Sequence, residues 1–193
     1  GKIYYHNREV ITTDEIRLKG MHNYENAMCA IAAVKQFNVT NEVIKEVLNS
    51  FCGVEHRLEF VTKINDRSFY NDSKATNVKS TIIAVSSFKD PIILLLGGLD
   101  RGHSFEELTP YLNNVKQIIC YGETKNRIKE YADKIGIDCI VLDTLEEATK
   151  GAYNLSSEGD IILLSPACAS WDQYDSFEDR GEDFKRIINE LNQ

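Results

Sequence analysis

The chain has 193 residues, 22 basic against 30 acidic, and a formal charge of −8. That length holds one ordinary domain plus a remnant, or two small domains. An acidic chain with no basic run is a poor electrostatic partner for nucleic acid or an anionic membrane, and neither is expected as a partner; an anionic small molecule could still bind through local cations. The five cysteines, Cys29, Cys52, Cys120, Cys139 and Cys168, are odd in number and contain no Cys-x-x-Cys. Each sits among apolar residues, so reduced thiols in a cytoplasmic protein are expected rather than disulfides or zinc. The longest aliphatic run, Ile92 to Leu96, is too short to span a membrane. No signal peptide is visible and the chain begins with Gly1 rather than Met, which suggests a fragment or a processed chain.

In chain order, residues 1–20 read as turn-like and polar, with a short hairpin around Lys2 to Ile11. A helix is predicted from about Asn23 to Phe37, with Ala27, Ala30, Ile31 and Val34 as its apolar stripe. A second runs from about Asn41 to Phe51, with Thr40 as N-cap, and Gly53 breaks the pattern. Leu58 to Ile64 and Ser68 to Tyr70 read as two strands joined at Asn65-Asp66-Arg67. Beyond them strands and helices alternate. Helices are predicted over 77–88, 105–114, 124–136, 144–155 and 176–191, and strands over 91–96, 116–121, 138–142 and 160–164. Thr144 with Glu147 forms a capping box. The strands are short, continuous aliphatic runs, which suit a parallel sheet covered on both faces. Two parts are expected: 1–53, a helical remnant of a preceding domain, and 54–193, a doubly wound, mostly parallel Rossmann-like α/β domain with an antiparallel strand pair at its start.

In such a sheet, ligands bind at the carboxyl ends of the strands. Three of the segments there are dense in small and polar residues: Asn71-Asp72-Ser73-Lys74-Ala75-Thr76-Asn77, Gly97-Gly98-Leu99-Asp100-Arg101-Gly102 and Ser165-Pro166-Ala167-Cys168-Ala169-Ser170. Asp72 could accept from ribose hydroxyls, or form an Asx turn capping the next helix. Lys74 is a point charge for a carboxylate or phosphate, or a solvated surface residue; Thr76 adds a hydroxyl. Gly97 and Gly98 permit a sharp turn or close approach to a ligand. Arg101 can grip a carboxylate with two parallel bonds, although alone it reads as an exposed arginine beside a glycine turn. Ser170 and Phe177 enter the last helix, whose first N–H groups attract carboxylates. Cys168 is read as an inert buried thiol, because no motif places a base beside it. His56-Arg57 stands at the junction of the two parts, and Asn23 and Asn26 are three apart on one helix face.

Met21-His22-Asn23-Tyr24-Glu25-Asn26-Ala27, Glu55-His56-Arg57-Leu58-Glu59, Asn71 to Asn77, Gly97 to Gly102 and Leu164 to Gly181 together resemble the Mur ligases, which build the peptide of bacterial peptidoglycan. The order and separation of these motifs fit the whole chain. The long forms Asp-Ser-Lys-Ala-Thr-Asn and Ser-Pro-Ala-Cys-Ala-Ser-x-Asp-Gln look like the D-glutamate-adding branch. The resemblance implies an ATP-dependent reaction: the carboxylate of UDP-N-acetylmuramoyl-L-alanine is phosphorylated, and the amine of D-glutamate attacks the acyl phosphate. It implies that Asn23 and Asn26 lie near adenine, and that His56, Arg57 and Asp72 serve ribose and phosphates. Lys74, Thr76, Arg101, Ser170 and the backbone at Phe177 would hold D-glutamate or the product, and His56 and Lys74 are the catalytic candidates. Arg101 stands where some relatives have lysine.

The family's Gly-Lys-Thr/Ser phosphate loop, its metal-binding residues and its modified lysine are not in this sequence; Gly1-Lys2 is followed by Ile3. No metal ligand is therefore assigned here, and Mg2+ would belong to the complete enzyme. The chain is expected to be the end of the central domain plus the carboxyl-terminal domain, monomeric, with the amino-terminal and central domains as its partners, and inactive alone. Two alternatives stand beside this reading: a stand-alone nucleotide or amino-acid binding module, and a related ligase of folylpolyglutamate type.

Overall fold

The computed structural model describes residues 1–18 and 20–191, apart from the side chain of His22 in the Met21–Ala27 motif. It falls into two compact units, Gly1–Gly53 and Val54–Gln193.

In the first unit, β1 (Lys2–Tyr5) and β2 (Arg8–Thr12) form an antiparallel hairpin, followed by α1 (Met21–Lys35) and α2 (Asn41–Ser50). His6 and Asn7 both adopt left-handed backbone, which closes the hairpin in two residues. Ile3, Val10, Ile11, Ile16, Ala27, Ile31 and Ile44 make its core. α1 starts two residues earlier than predicted, with Gly20 at its N-cap. Ala30 is exposed, a correction to the predicted stripe; Tyr24, Ala27, Ile31 and Val34 form the packed line instead. Thr40 caps α2 by accepting from Val43 N–H.

The second unit is a six-stranded sheet in the order β3-β4-β8-β5-β6-β7. Its strands are β3 (Glu59–Ile64), β4 (Arg67–Asn71), β5 (Ile92–Gly97), β6 (Val115–Tyr121), β7 (Cys139–Val141) and β8 (Ile161–Ala167). β3 is antiparallel to β4 and every other pair is parallel. Asn65 and Asp66, both left-handed, make the tight β3–β4 turn. Helices α3 (Val78–Ser86), α4 (Lys125–Ile135), α5 (Leu145–Leu155) and α6 (Phe177–Leu191) cover the sheet. Alternate residues of β5 explain its unbroken aliphatic run. Ile92, Leu94 and Leu96 pack with Val85, Leu108 and Ile128, whereas Ile93 and Leu95 pack with Ala148, Phe184 and Ile188. Each face is covered, so each residue must be apolar. Asn77 caps α3, and the Thr144–Glu147 capping box is present on α5.

Two elements differ from expectation. The helix predicted over 105–114 is only a 3-10 turn, Glu106–Tyr111, containing Pro110; proline removes a backbone donor and stops an α-helix from propagating. The last strand runs on through Ser165-Pro166-Ala167, which are fully buried rather than loop. A register shift between Leu95 and Gly97 on β5 accommodates the proline on β8. No helix among the described residues is long and apolar enough to cross a membrane.

Candidate functional site

The chain winds outward from β5 to β7 and then returns to insert β8 between β4 and β5. That reversal makes the ends of β4, β8 and β5 neighbours, at the switch point where open α/β sheets bind ligands. All three polar segments therefore converge.

Their glycines serve the protein itself. Gly97 has φ 148°, and a Cβ there would lie 2.0 Å from the Tyr121 carbonyl oxygen. At Gly98, φ 139°, it would lie 2.2 Å from the Ala169 carbonyl oxygen. Close approach of neighbouring strand ends requires both, and Leu99 then bridges to Ala169. Asp100 braces the loop by accepting from Gly102 N–H and from the Arg127 guanidinium.

Asp72 is 4 % exposed. Leu58 N–H donates to its Oδ1 (3.1 Å) and Ser165 Oγ–H to its Oδ2 (2.7 Å). The Asx turn belongs to Asn71, whose Oδ1 accepts from Ser73 N–H, and the helix cap belongs to Asn77. Burial pushes the Asp72 carboxyl up to about 6, against the pull of Ser165, Leu58 and Arg57. An ionised carboxylate has about four acceptor positions. Asp72 uses two of them, which leaves acceptor positions free.

His56 is buried. Its Nδ1 lies 2.9 Å from Asn71 Nδ2, and its Nε2 is 3.6 Å from Glu182 Oε1. Since Asn71 Nδ2 only donates, Nδ1 accepts and Nε2 carries the proton. The ring also meets Phe177 edge-on at 6.1 Å. His56 is thus packed inside the second unit, whereas Arg57 is exposed. Glu55, His56 and Glu182 have donor atoms close enough to gather a cation. Lys185 Nζ already fills that role, at 3.1 Å from Glu55, 3.5 Å from Glu59 and 2.6 Å from Glu182.

Lys74 and Arg101 are both exposed, and each lies over an aromatic ring. Lys74 Nζ is 4.3 Å from the centroid of Phe177, and the Arg101 guanidinium carbon is 4.6 Å from that of Trp171. Among the described residues neither cation has a carboxylate within ion-pair distance. Thr76 is half-buried at the same strand end. Ser170 is 2 % exposed, and its carbonyl accepts from Gln173 and Tyr174 N–H groups. The Phe177 carbonyl accepts from Ser73 Oγ–H. Glu178 and Asp179 occupy the first turn of α6 and already complement its N-terminal dipole. Asn23 and Asn26 lie on α1 of the other unit, the first half-buried and the second exposed.

Sequence reasoning missed the residue that ties this layer together. Arg180 is 1 % exposed. Its Nε donates to Ser73 Oγ (2.9 Å), and its Nη2 to the carbonyls of Ser73 (2.8 Å) and Cys168 (3.0 Å). Its Nη1 and the buried Tyr121 hydroxyl have no hydrogen-bond partner among the described residues. The signal was available: Arg180 stands in line with Phe184, Ile187 and Ile188, an arginine on an apolar helical stripe. Cys168 also differs from expectation, because His103 Nε2 lies 3.8 Å from its sulfur. Burial still pushes that thiol up to about 11, so it is not activated. Cys29 and Cys52 are exposed rather than packed among apolar residues, and all five thiols are free.

Residues 56–168 match the family model described as Mur ligase, glutamate ligase domain. The chain is 50% identical over 190 residues to a UDP-N-acetylmuramoylalanine–D-glutamate ligase of Bacillus cereus, covering 98% of this chain and 42% of that protein. The protein of the same name from Bacillus velezensis is 49% identical over 192 residues, 99% of this chain and 43% of that one. The chain therefore spans less than half the length of these relatives. Among solved structures, UDP-N-acetylmuramate-alanine ligase MurC of Thermotoga maritima superposes with a TM-score of 0.67 at 16% identity, over 91% of this chain and 40% of that one. MurF of Acinetobacter baumannii gives 0.68 at 19%, over 89% and 39%. At these identities the likeness concerns the fold alone.

Proposed function

The chain belongs to the Mur ligase family through its glutamate ligase domain, and on that premise we propose that it is the D-glutamate-holding part of a cytoplasmic, ATP-dependent ligase that adds D-glutamate to UDP-N-acetylmuramoyl-L-alanine. Residues 1–53 are then the end of the central ATP-binding domain, and residues 54–193 the carboxyl-terminal domain. The observation that carries this reading is the pair Lys74 and Arg101, cations from the ends of β4 and β5 on either side of β8, without a carboxylate partner among the described residues and each held over a ring of the 171–177 segment. A dicarboxylic amino acid presents two anions to such a pair. An aromatic face orients a cation without neutralising it, as a carboxylate would.

ATP, when bound, supplies the phosphoryl group that makes the acceptor carboxylate an acyl phosphate, from which the amine of D-glutamate displaces phosphate to form the amide. The residues of this chain position the reactants. Lys74 and Arg101 hold the amino acid's carboxylates, with Thr76, Ser170 and the backbone at Phe177 around them. Asp72 takes ribose hydroxyls and exposed Arg57 faces phosphate oxygens. Buried His56 sets the backbone beneath Lys74, since the His56 carbonyl accepts from Lys74 N–H (3.0 Å). Asn23 and Asn26 are the adenine-side candidates within residues 1–53. Lys185 occupies the local carboxylate cluster, so Mg2+ falls to residues of the rest of the enzyme.

The test uses the whole protein containing this chain. ADP release should require both D-glutamate and the muramoyl substrate. Lys74→Ala and Arg101→Ala should each raise the KM for D-glutamate at least about tenfold. ADP release indifferent to D-glutamate, or an unchanged KM in both variants, would refute the reading. The 193-residue chain alone should give no turnover, and weak D-glutamate binding by calorimetry; tight binding would instead favour a self-sufficient binding module.

A further inference from the structure

Thr81, on α3, is fully buried behind the strand ends. Its Oγ1 lies 3.1 Å from Ser165 Oγ and 3.2 Å from the Ser165 carbonyl oxygen. Ser165 Oγ is in turn 2.7 Å from Asp72 Oδ2. A carboxyl, two hydroxyls and a carbonyl thus form one continuous buried line.

Each hydroxyl has one proton to donate. With Asp72 ionised, Ser165 donates to Oδ2 and Thr81 donates back toward Ser165. With Asp72 protonated, the carboxyl donates to Ser165 Oγ, Ser165 to Thr81 Oγ1, and Thr81 to the Ser165 carbonyl. Both arrangements give every buried proton in the line an acceptor. Switching between them adds one proton at Asp72 and rotates two hydroxyls, with no heavy atom displaced. A buried donor without an acceptor is costly, so a line complete in both states is unlike a simple brace. The other carboxylate oxygen keeps its bond from Leu58 N–H throughout. Arg57, on the segment entering β3, is the charged group acting on Asp72 among the described residues.

We propose that Ser165 and Thr81 are positioning residues forming a reversible hydroxyl chain, through which Asp72 takes up and releases a proton in place. Ser165 favours the carboxylate, because it is the donor that state needs. Thr81 favours the acid, because it is the acceptor that the turned Ser165 needs. The consequence for turnover rests on the proposed ligase function: the carboxylate on the nucleotide side is then a proton-adjustable group rather than a fixed charge.

The measurement is a carbon-detected NMR titration of the Asp72 carboxyl in this chain. Ser165→Ala removes the donor to the carboxylate and should move the titration up by about one pH unit. Thr81→Val keeps the Ser165 bond to Asp72 but deletes the acceptor that the turned Ser165 hydroxyl needs in the acid arrangement, and should move it down by about half a unit. Thr81→Ser should restore it. Opposite signs are decisive, because two apolar substitutions acting through burial alone would both move it up. Shifts of one sign, or none, overturn the chain. Should Ser165→Ala fail to fold, the downward shift in Thr81→Val and its reversal in Thr81→Ser carry the test. In the whole protein, the acid limb of ADP release should follow the same two directions. Opposite NMR shifts with an unmoved acid limb would support the hydroxyl chain and remove Asp72 from turnover.

Discussion

At the ends of β4, β8 and β5, Asp72 and Arg180 lie beneath the surface in dense hydrogen-bonding, while the side-chain cations of Lys74 and Arg101 are exposed, each over an aromatic ring. The lower layer costs desolvation and must be satisfied from within, so its groups bind backbone carbonyls, an N–H and hydroxyls. The upper layer remains hydrated, and its rings aim the cations without consuming their charge. The difference separates groups held by the protein's own hydrogen bonds from cations that project into solvent. A site needs both, because a cation on a loop is only as well placed as the backbone under it.

That division can be broken in stages. Gly97→Ala should have the largest effect on folding, about 4 kcal/mol, since its Cβ would overlap the Tyr121 carbonyl oxygen 2.0 Å away; urea unfolding measures it. Arg180→Met should follow at about 3 kcal/mol, from the lost bonds to the Ser73 and Cys168 carbonyls. A loss under about 1 kcal/mol would place Arg180 with the rim.

Asp72→Asn sharpens the comparison by reversing its sign. The Asp72 carboxyl is raised from an ordinary 3.8 to about 6 in the fold. Between those values the folded state binds its proton more tightly than the unfolded state. Stability from this group therefore falls as pH rises from about 4 to about 6, and stays low above that. The asparagine variant should be more stable than the parent by about 2 kcal/mol at pH 7.5, with the advantage fading below about pH 4, as chemical denaturation across pH would read. It should lose nucleotide turnover in the whole protein.

The smallest folding effects belong to the rim. Lys74→Ala and Arg101→Ala should each change stability by under about 1 kcal/mol, the worth of an exposed cation over a ring, as thermal unfolding would show. Their cost should fall on D-glutamate affinity.

Much of this architecture was legible in the chain. The aliphatic runs of β5 and β8 announced a sheet covered on both faces, and Thr40, Asn77 and Thr144 announced helix starts. The polar segments at 71–77 and 97–102 were visible as strand ends. What escaped were Arg180 and Thr81. Both sit inside helices, where no turn or loop marks them; Arg180 shows only as an arginine on an apolar stripe, and packing is what turns both toward the sheet ends. The segment from Ser165 to Ser170 read as a loop because of its small residues and proline, yet it is buried strand and turn.

The sequence by itself determined the composition of the site: a carboxylate, two cations, hydroxyls and glycines at strand ends, set by local periodicity and turn chemistry. Only the tertiary structure decided that they are one site, because inserting β8 between β4 and β5 is a long-range choice of strand order that no local pattern encodes. It also decided which of those groups are buried and which meet solvent. Fractional exposure depends on the neighbours that pack around a side chain, not on the side chain itself.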